Sequence, residues 1–141
     1  MITVPVEDRL ELMDLVARYA FRCDTGRFNE IAELFTADGV FDETVIGLPL
    51  CTGHEAIDAT FRAVGAGVDW LIHLNGNQQA TAYDGTTATA TSHLHVEGSV
   101  NGRAIRILGY YDDVFRKVEG RWLFARRTLV EIAPTIGMAG Q

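Results

Sequence analysis

The chain has 141 residues, of which 48% are hydrophobic and 22% are charged, so it can bury the core of a single domain. Its 12 Lys and Arg and 19 Asp and Glu give a net charge of −7, which argues against a nucleic-acid partner because phosphate contacts need a basic face. No apolar run approaches the roughly 20 residues needed to span a bilayer, and residues 1–9 lack the basic and apolar regions of a signal peptide. We therefore expect a cytoplasmic protein whose partner is neither a membrane nor a nucleic acid.

The first half of the chain is predicted to be mainly helical. Between residues 7 and 23, apolar residues recur at the spacing of one helix face, at Leu12, Leu15, Val16, Tyr19 and Cys23. A second, short helix is predicted over 28–35 from the same kind of spacing. Thr52 followed by Glu55 has the pattern of a capping box, which predicts that a third helix begins there and ends near Gly65.

The second half of the chain is predicted to form long antiparallel strands. Three turn signals, Asp84-Gly85, Asn101-Gly102 and Glu119-Gly120, separate extended segments over 71–82, 86–100, 103–117 and 121–132. Helices followed by such a meander indicate an α+β fold with the helices on one face of the sheet. We expect one domain over residues 1–141, with its core over about 7–132 and a frayed, Gly-rich tail over 135–141.

The Asn101-Gly102 turn predicts which residues of its two strands lie opposite one another and share a sheet face. One face carries polar and aromatic residues together: His93, His95, Leu108 and Tyr110. The other face is apolar and carries Leu94, Val96, Ile105, Ile107 and Tyr111. Because two histidines and a tyrosine are unusual on a solvated face, we predict that the first set lines a substrate-binding cavity. The apolar set is then the outer face, and we expect a second copy of the chain to cover it in a homodimer.

Metal and thiol sites are the alternatives to a polar cavity. His93-x-His95 places two imidazoles on one side of a strand, a spacing that metal sites also use, with His73 or Asp24 as a third ligand. We favour a pocket wall and expect no metal. Cys23 has no neighbour that would activate a thiolate. The chain also lacks phosphate-loop and dinucleotide motifs, so no cofactor is expected.

Several short motifs follow one another along the chain: Tyr19-x4-Asp24-x-Gly26, Leu34-Phe35-x2-Asp38-Gly39-Val40-Phe41, Gly53-x-Glu55-Ala56-Ile57, His73-x-Asn75, Ala88-x-Ala90, and Gly120-x-Trp122 with Arg126-Arg127. In this order they resemble the SnoaL-like, nuclear-transport-factor-two-like superfamily, over roughly residues 7–132. The resemblance implies a cone-shaped α+β barrel, in which a curved sheet wraps helices around an apolar pocket. It leaves the reaction open, because the superfamily includes dehydratases, isomerases, cyclases, dehydrochlorinases, dioxygenase small subunits and plain binding proteins.

Within the superfamily, the chain is most similar to the group of scytalone dehydratase, bile-acid dehydratase and lindane dehydrochlorinase. The resemblance implies a catalytic pair of Asp24 and His73, with Tyr19 and Arg126 also in the site. His93 or His95 would take the place of a further pocket histidine of scytalone dehydratase. An Asp that bile-acid dehydratase carries nearby is missing here, so its substrate is not carried over. Since Arg126 and Arg127 alternate along a strand, one of them faces inward, and we predict Arg126.

Proton transfer is the chemistry that these residues predict. A carboxylate that holds one imidazole nitrogen leaves the other free to take a proton. We therefore expect a lyase or isomerase without a cofactor, dehydratase-like, acting on a small, apolar and cyclic molecule. The simpler interpretations are a turn residue for Asp24 and a core histidine for His73. Asp42 and Glu43 could line the mouth of the cavity, but paired acids on a short strand are usually solvated, and we expect that here. The alternative function is a non-catalytic binding module or the small subunit of a ring-hydroxylating dioxygenase, which needs no Asp24–His73 pair.

Overall fold

Two helices and six strands make up most of residues 1–138, the part of the chain that this computed structural model describes. The helices are α1 (Val6–Asp24) and α2 (His54–Gly67). The strands are β1 (Phe35–Asp42), β2 (Cys51–Thr52), β3 (Val68–Tyr83), β4 (Thr87–Val100), β5 (Arg103–Val118) and β6 (Arg121–Glu131). Short 3₁₀ turns occupy Phe28–Glu30, Ala32–Leu34 and Thr44–Ile46. Neither helix in this part of the chain is long and apolar enough to cross a membrane.

The strands form one curved sheet in the order β2-β1-β6-β5-β4-β3. Neighbouring strands are antiparallel except β1 and β6, which run parallel. Helix α1 packs against β3 and β6, and α2 packs against β1 and the 3₁₀ turns. The predicted α+β class is therefore confirmed, and the sheet is open, with β2 and β3 at its edges.

Helix α1 buries the face that the sequence predicts and is anchored at its first turn. Its buried apolar residues include Leu12, Leu15, Val16, Tyr19 and Cys23. Asp8, which is buried, accepts hydrogen bonds from the Trp122 indole N–H (2.9 Å), the Lys117 ammonium (3.2 Å) and the Tyr83 hydroxyl. These donors come from β6, β5 and β3, so one carboxylate fixes the start of α1 across three strands. The opposite end of the helix, at Asp24, is thereby positioned as well.

Two helical predictions need correction. The segment 28–35 is a pair of 3₁₀ turns followed by the start of β1, rather than a single helix. Helix α2 has Gly53 as its N-cap residue, without a side-chain cap, because Thr52 belongs to β2 and pairs with Val40. Gly53 has a φ of 86°, a left-handed conformation that glycine adopts without strain, so the chain turns from β2 directly into the helix.

The predicted register of β4 and β5 is present, but the two faces are exchanged. His95 pairs with Leu108 and His93 with Tyr110, as expected from the Asn101-Gly102 turn. The apolar face nevertheless points inward, and its members are 1–6% exposed: Leu94, Val96, Ile105, Ile107 and Tyr111. The prediction that this face is covered by a second copy is therefore wrong, because α1 and α2 of the same chain cover it. Alternation separates two faces, and burial of apolar area decides which one is inside.

The segment after β6 was expected to be frayed, but 135–138 is held against the sheet. The Thr135 backbone N–H and hydroxyl donate to Glu131 Oε2 at 2.9 and 2.5 Å. Ile136 pairs with Arg106 of β5 through two backbone hydrogen bonds of 3.0 Å. The remainder of the predicted tail, 139–141, lies outside the described residues.

Candidate active site

A cavity of about 310 Å³ lies between the two helices and the inner face of the sheet. We call it the central cavity. Most of its wall is apolar and includes Phe41, Phe61, Leu71, Val96, Ile105 and Ile107. Polar side chains also reach its wall, among them Tyr19, Glu43, Thr60 and His73. An apolar space of this size with a few polar groups is typical of a site for a small organic molecule.

Asp24 and His73 form a hydrogen-bonded pair at the cavity wall. Asp24 Oδ1 lies 2.5 Å from His73 Nδ1, and Asp24 Oδ2 accepts the His73 backbone N–H at 2.9 Å. The His73 side chain is 9% exposed and that of Asp24 is 18% exposed. Both carboxylate oxygens thus hold the same residue, one through its ring and one through its backbone. The last residue of α1 is joined in this way to the edge strand β3.

This geometry selects one tautomer of His73. An ionised carboxylate can only accept a hydrogen bond, so Nδ1 carries a proton and donates a hydrogen bond to Asp24. In the neutral ring, the other nitrogen, Nε2, therefore has the free lone pair, on a ring that lines the central cavity. When Nε2 takes a proton, the adjacent carboxylate stabilises the imidazolium that results. The pair can therefore act as a general base and afterwards as an acid.

Tyr19 belongs to a cluster of aromatic rings beside His73. Its ring meets the His73 ring edge to face, with 6.2 Å between the centroids, and also contacts Phe61, Tyr111 and Phe124. The Tyr19 side chain is 2% exposed, and burial raises the pKa of its hydroxyl well above the usual value. The hydroxyl is therefore neutral and can donate a hydrogen bond at physiological pH.

The inward-facing arginine is Arg127, not Arg126. The Arg127 side chain is fully buried, and its guanidinium carbon lies 3.5 Å from the centroid of Tyr111 and 4.3 Å from that of Tyr19. Arg126 is exposed and pairs with Asp42 at 3.1 Å. The pairing of β5 with β6 skips one residue between Phe124 and Arg126, a β-bulge that exchanges the faces of all later residues. The prediction for Arg126, which came from the resemblance, is therefore wrong.

Asp113 is the counter-ion of Arg127. The Arg127 Nε and Asp113 Oδ1 atoms are 3.1 Å apart, and both side chains are essentially inaccessible to solvent. None of the three guanidinium nitrogens, and not Asp113 Oδ1 either, has a hydrogen bond of good geometry within residues 1–138, so the contact is an ion pair, to which stacking on the aromatic rings adds a cation–π interaction. Burial raises the pKa of Asp113 to about 7, although the nearby charge of Arg127 opposes the change.

The pKa of Asp113 predicts a pH dependence of stability. The pKa rises from 3.8 to about 7 on folding, so between these values the folded chain holds a proton that the unfolded chain has released. This contribution stabilises the folded chain below the lower pKa and is lost as the pH rises through the higher one. We expect the free energy of unfolding in urea to fall across this window, and the fall to be smaller in Asp113→Asn. An equally steep fall in the variant would contradict the assignment.

Glu43 is a cavity residue that the sequence analysis placed in solvent. It follows β1 directly, is 6% exposed, and accepts a hydrogen bond of 3.1 Å from the Tyr111 hydroxyl at Oε2. Burial raises its pKa, while His73 and Arg127 oppose that change. Phe41 is buried two positions earlier, so continued alternation would have predicted that Glu43 also points inward.

The residues predicted to bind substrate from β4 and β5 lie outside the cavity. His93 and His95 are exposed, while Leu108 and Tyr110 are half-buried on the same outer face. His93 Nδ1 is 3.1 Å from the Asn77 amide nitrogen, and His95 Nε2 is 3.3 Å from Glu97 Oε1. Within residues 1–138, no three His, Cys, Asp or Glu side chains are grouped as metal ligands. Of the predicted site, Asp24, His73 and Tyr19 are brought together.

Comparison with known protein families gives a match over most of the chain. A family model described as a SnoaL-like domain matches residues 4–128, which is most of the chain. The chain belongs to the SnoaL-like domain family. The resemblance noted in the sequence is thereby confirmed. A comparison of this SnoaL-like chain with curated proteins gave no significant match.

Solved structures similar to this SnoaL-like chain include three informative examples. A protein of Novosphingobium aromaticivorans, provisionally described as an aromatic ring hydroxylase, is 33% identical over 96% of both chains, with a TM-score of 0.92. A second protein of that organism, provisionally described as a scytalone dehydratase, is 22% identical, covering 96% of this chain and 91% of its own, with a TM-score of 0.85. LinA is 17% identical, covering 96% of this chain and 92% of its own, with a TM-score of 0.82. The last two show a shared fold.

Proposed function

We propose that this SnoaL-like chain is a lyase or isomerase that needs no cofactor and acts, dehydratase-like, on a small, apolar and cyclic molecule. The observation that carries the proposal is the Asp24–His73 pair at the wall of an apolar cavity. Asp24 holds Nδ1 of the ring, which leaves the lone pair of the neutral ring on Nε2, and the ring lines an apolar cavity. The proposal is also in keeping with the names of two proteins that share the fold, one described as a scytalone dehydratase and the other as a hexachlorocyclohexane dehydrochlorinase, LinA.

His73 Nε2 takes the proton from a carbon next to a carbonyl group in this reaction. The electrons of the broken C–H bond move toward the carbonyl oxygen, where negative charge develops. The neutral hydroxyl group of Tyr19, which lines the cavity, can stabilise such charge. The Arg127 guanidinium stacks on the Tyr19 ring, and its positive charge partly opposes the rise in the pKa of the Tyr19 hydroxyl that burial causes.

Hydrogen exchange tests the proton abstraction before the substrate is known. Purified chain is incubated in D₂O with a panel of cyclic ketones, and NMR follows deuterium uptake at the carbon beside the carbonyl. We expect uptake above the buffer rate with the wild type and none above it with His73→Ala. Uptake that is equal in both proteins would mean that His73 is not the base.

A second candidate function is a subunit or binding module of a ring-hydroxylating system. The structure described as an aromatic ring hydroxylase, which is 33% identical to this chain, favours it. In that case the cavity binds a molecule without transforming it, and the Asp24–His73 contact is structural. The exchange experiment separates the two functions, because a binding module bound to the same ketones would leave their hydrogens in place.

The outer face of the sheet supports a homodimer through a different surface from the one first predicted. Three apolar side chains of β3 are more than half exposed, with Trp70 at 52%, Ile72 at 51% and Leu74 at 63%. They alternate with His73, so they lie on the outer face, beside His95 and the half-buried Leu108. Since soluble monomers rarely leave such a patch uncovered, we infer that a second copy of the chain packs on it.

Charge placed in this patch is expected to give monomers. The variant Ile72→Lys/Leu74→Lys would bury two ammonium groups in the contact, which is unfavourable without partners. Light scattering is expected to give 15.5 kDa for this variant and at least twice that mass for the wild type. Val118→Lys, at a half-exposed position (38%) on β5, is the control and should remain associated. A monomeric wild type would contradict the proposal.

Turnover is expected to be unaffected by chelators. Proton transfer by the Asp24–His73 pair requires no metal, and His93 and His95 have no third ligand near them within residues 1–138. The rate of hydrogen–deuterium exchange, measured on a ketone for which the chain catalyses it, should be equal before and after dialysis against EDTA. Loss of activity that one divalent ion restores would instead indicate a metal-dependent reaction.

A further inference from the structure

Glu43 is the acidic residue that the proposed proton abstraction leaves without a role. Its side chain lines the central cavity together with that of His73. The local chain fixes its position, because the Glu43 carbonyl accepts the Ile46 backbone N–H at 3.1 Å and closes the turn after β1. Glu43 is therefore held at the cavity wall by its own backbone as well as by its side-chain contact with Tyr111.

The contacts of Glu43 favour a neutral carboxyl group. Tyr111 donates to Oε2, whereas Oε1 has no hydrogen-bond partner within residues 1–138. No salt bridge to Glu43 is found in the same part of the chain, since Arg127 pairs with Asp113. A buried carboxylate with one hydrogen bond and no counter-ion is unfavourable, and protonation removes the charge. The proton then resides on an oxygen that a molecule in the cavity can reach.

The charged and titratable groups around Glu43 come from every element packed against it. They are His73 on β3, Arg127 on β6, Tyr111 and Asp113 on β5, Asp42 on β1, and Tyr19 and Cys23 on α1. Burial is the largest influence and raises the pKa of Glu43, while His73, Arg127 and the Tyr111 hydrogen bond lower it and Asp42 raises it. The raised pKa of Glu43 agrees with the neutral carboxyl group that its hydrogen-bond contacts favour.

A neutral acid in the same cavity as a base matters for the kind of group that leaves the substrate. Hydroxide is a poor leaving group and departs readily as water once its oxygen has received a proton, whereas a halide departs as the anion. A site for dehydration therefore gains from a proton donor, and a site for loss of halide does not. General acid assistance of this kind contributes about 10²- to 10⁴-fold to the rate.

We propose that Glu43 donates its proton to the oxygen that leaves, and that the substrate is accordingly a β-hydroxy carbonyl compound rather than a halide. This rests on the proposed function of His73. His73 Nε2 takes the C–H proton, the C=C bond forms, and the C–O bond breaks as the oxygen takes the Glu43 proton to give water. His73 is then positive and Glu43 negative, and transfer of one proton from His73 to Glu43 restores both.

A pair of probes that differ in the leaving group tests this inference. The probes are 3-hydroxy-1-indanone and 3-chloro-1-indanone, which both give indenone, with spontaneous elimination subtracted. Glu43→Gln keeps the size of the side chain and an acceptor for Tyr111 but has no acidic proton. We expect the rate of elimination from the hydroxy probe to fall by about 10²-fold in this variant. The rate with the chloro probe should stay close to that of the wild type. Equal losses, or no loss, would overturn the role of Glu43.

The same probes keep the two proposals apart. His73→Gln removes the base, so it should slow elimination from both probes. If His73→Gln changes neither rate, the proposed function fails, whereas a Glu43→Gln variant that treats both leaving groups alike overturns only the proton donor. Glu97→Gln, the same substitution at an exposed glutamate that contacts His95 on the outer face of the sheet, is the matched control and should slow neither reaction.

An infrared measurement tests the inference without turnover. A protonated carboxyl group has a C=O stretching band that is distinct from carboxylate bands. We expect such a band at pH 7 in the wild type, absent from Glu43→Gln, and shifted when 1-indanol saturates the cavity. Asp113→Asn identifies any band of Asp113, whose pKa of about 7 leaves it partly protonated. No Glu43 band, or a band that 1-indanol does not move, would overturn the inference.

Discussion

Replacing His73 with Ala is expected to lower turnover by about 10³-fold, within the range found for removal of a general base, while the fold persists. The loss follows because Nε2 of His73 is the base that the Asp24 contact leaves free. His95→Ala is the matched control, since that histidine is exposed on the outer face of the sheet and makes a 3.3 Å contact with Glu97 alone. Turnover of the control should be unchanged. Circular dichroism and a urea transition for each variant separate loss of function from loss of fold.

Asp24→Asn is expected to produce a loss similar to that of His73→Ala. Asp24 accepts two hydrogen bonds from His73, one from the ring at 2.5 Å and one from the backbone at 2.9 Å. An asparagine has one acceptor oxygen, so in either amide orientation its NH₂ group meets one of these two donors. The imidazole then loses its tautomer or its position.

The double variant distinguishes one coupled pair from two separate contributions. If the pair acts as a unit, Asp24→Asn/His73→Ala should lose little more than either single variant. Single-turnover kinetics on an exchange-active ketone give the three values. A double variant whose loss equals the product of the two single losses would contradict coupling.

Arg127→Met is expected to destabilise the chain by about 3 kcal/mol or more, as removal of one partner from a buried ion pair does. The variant leaves Asp113 buried without its counter-ion and removes the stacking of the guanidinium on Tyr111 and Tyr19. Arg126→Met, one position earlier, is the matched control. Its ion pair with Asp42 is partly exposed, and such pairs contribute at most about 1 kcal/mol. Urea unfolding measures both.

A compensating variant checks that the loss comes from the stranded carboxyl group. Arg127→Met/Asp113→Leu replaces both charged partners by apolar side chains and should recover much of the stability, because a buried pair exchanged for apolar residues is often neutral. Similar, small losses for Arg126→Met and Arg127→Met would mean that the inward-facing arginine has been misassigned.

Local patterns predicted much of this fold. The stripe from Leu12 to Cys23 is the buried face of α1, and Asn101-Gly102 sets the register of β4 and β5. Both follow from short-range rules, helix periodicity and turn geometry, which need no knowledge of the rest of the chain. The pairing of Asp24 with His73 is a contact between residues 49 apart, and it was predicted through resemblance alone.

The errors have two physical sources. One is a β-bulge, which changes the face of every later residue in a strand, and the other is the choice of which face of the sheet points inward. Alternation from Trp122 and Phe124 points Arg126 inward, but the bulge after Phe124 brings Arg127 inside instead. The pairing of β3 with β4 also shifts at two places between Gly76 and Ala82, so the face of His73 cannot be counted from the turn that joins them. Such irregularities are settled by packing across the whole sheet.

The double contact of Asp24 with His73 also concerns aggregation. Strand β3 is at an edge of the sheet, and the His73 backbone N–H points away from its partner strand β4 toward Asp24. Unsatisfied N–H groups on an edge strand can pair with strands of other molecules, and natural proteins block them with charges or covering elements. The carboxylate that orients the imidazole thus also occupies a free position on that edge. Within one carboxylate, Oδ1 therefore holds the imidazole ring and Oδ2 covers the N–H group of the edge strand.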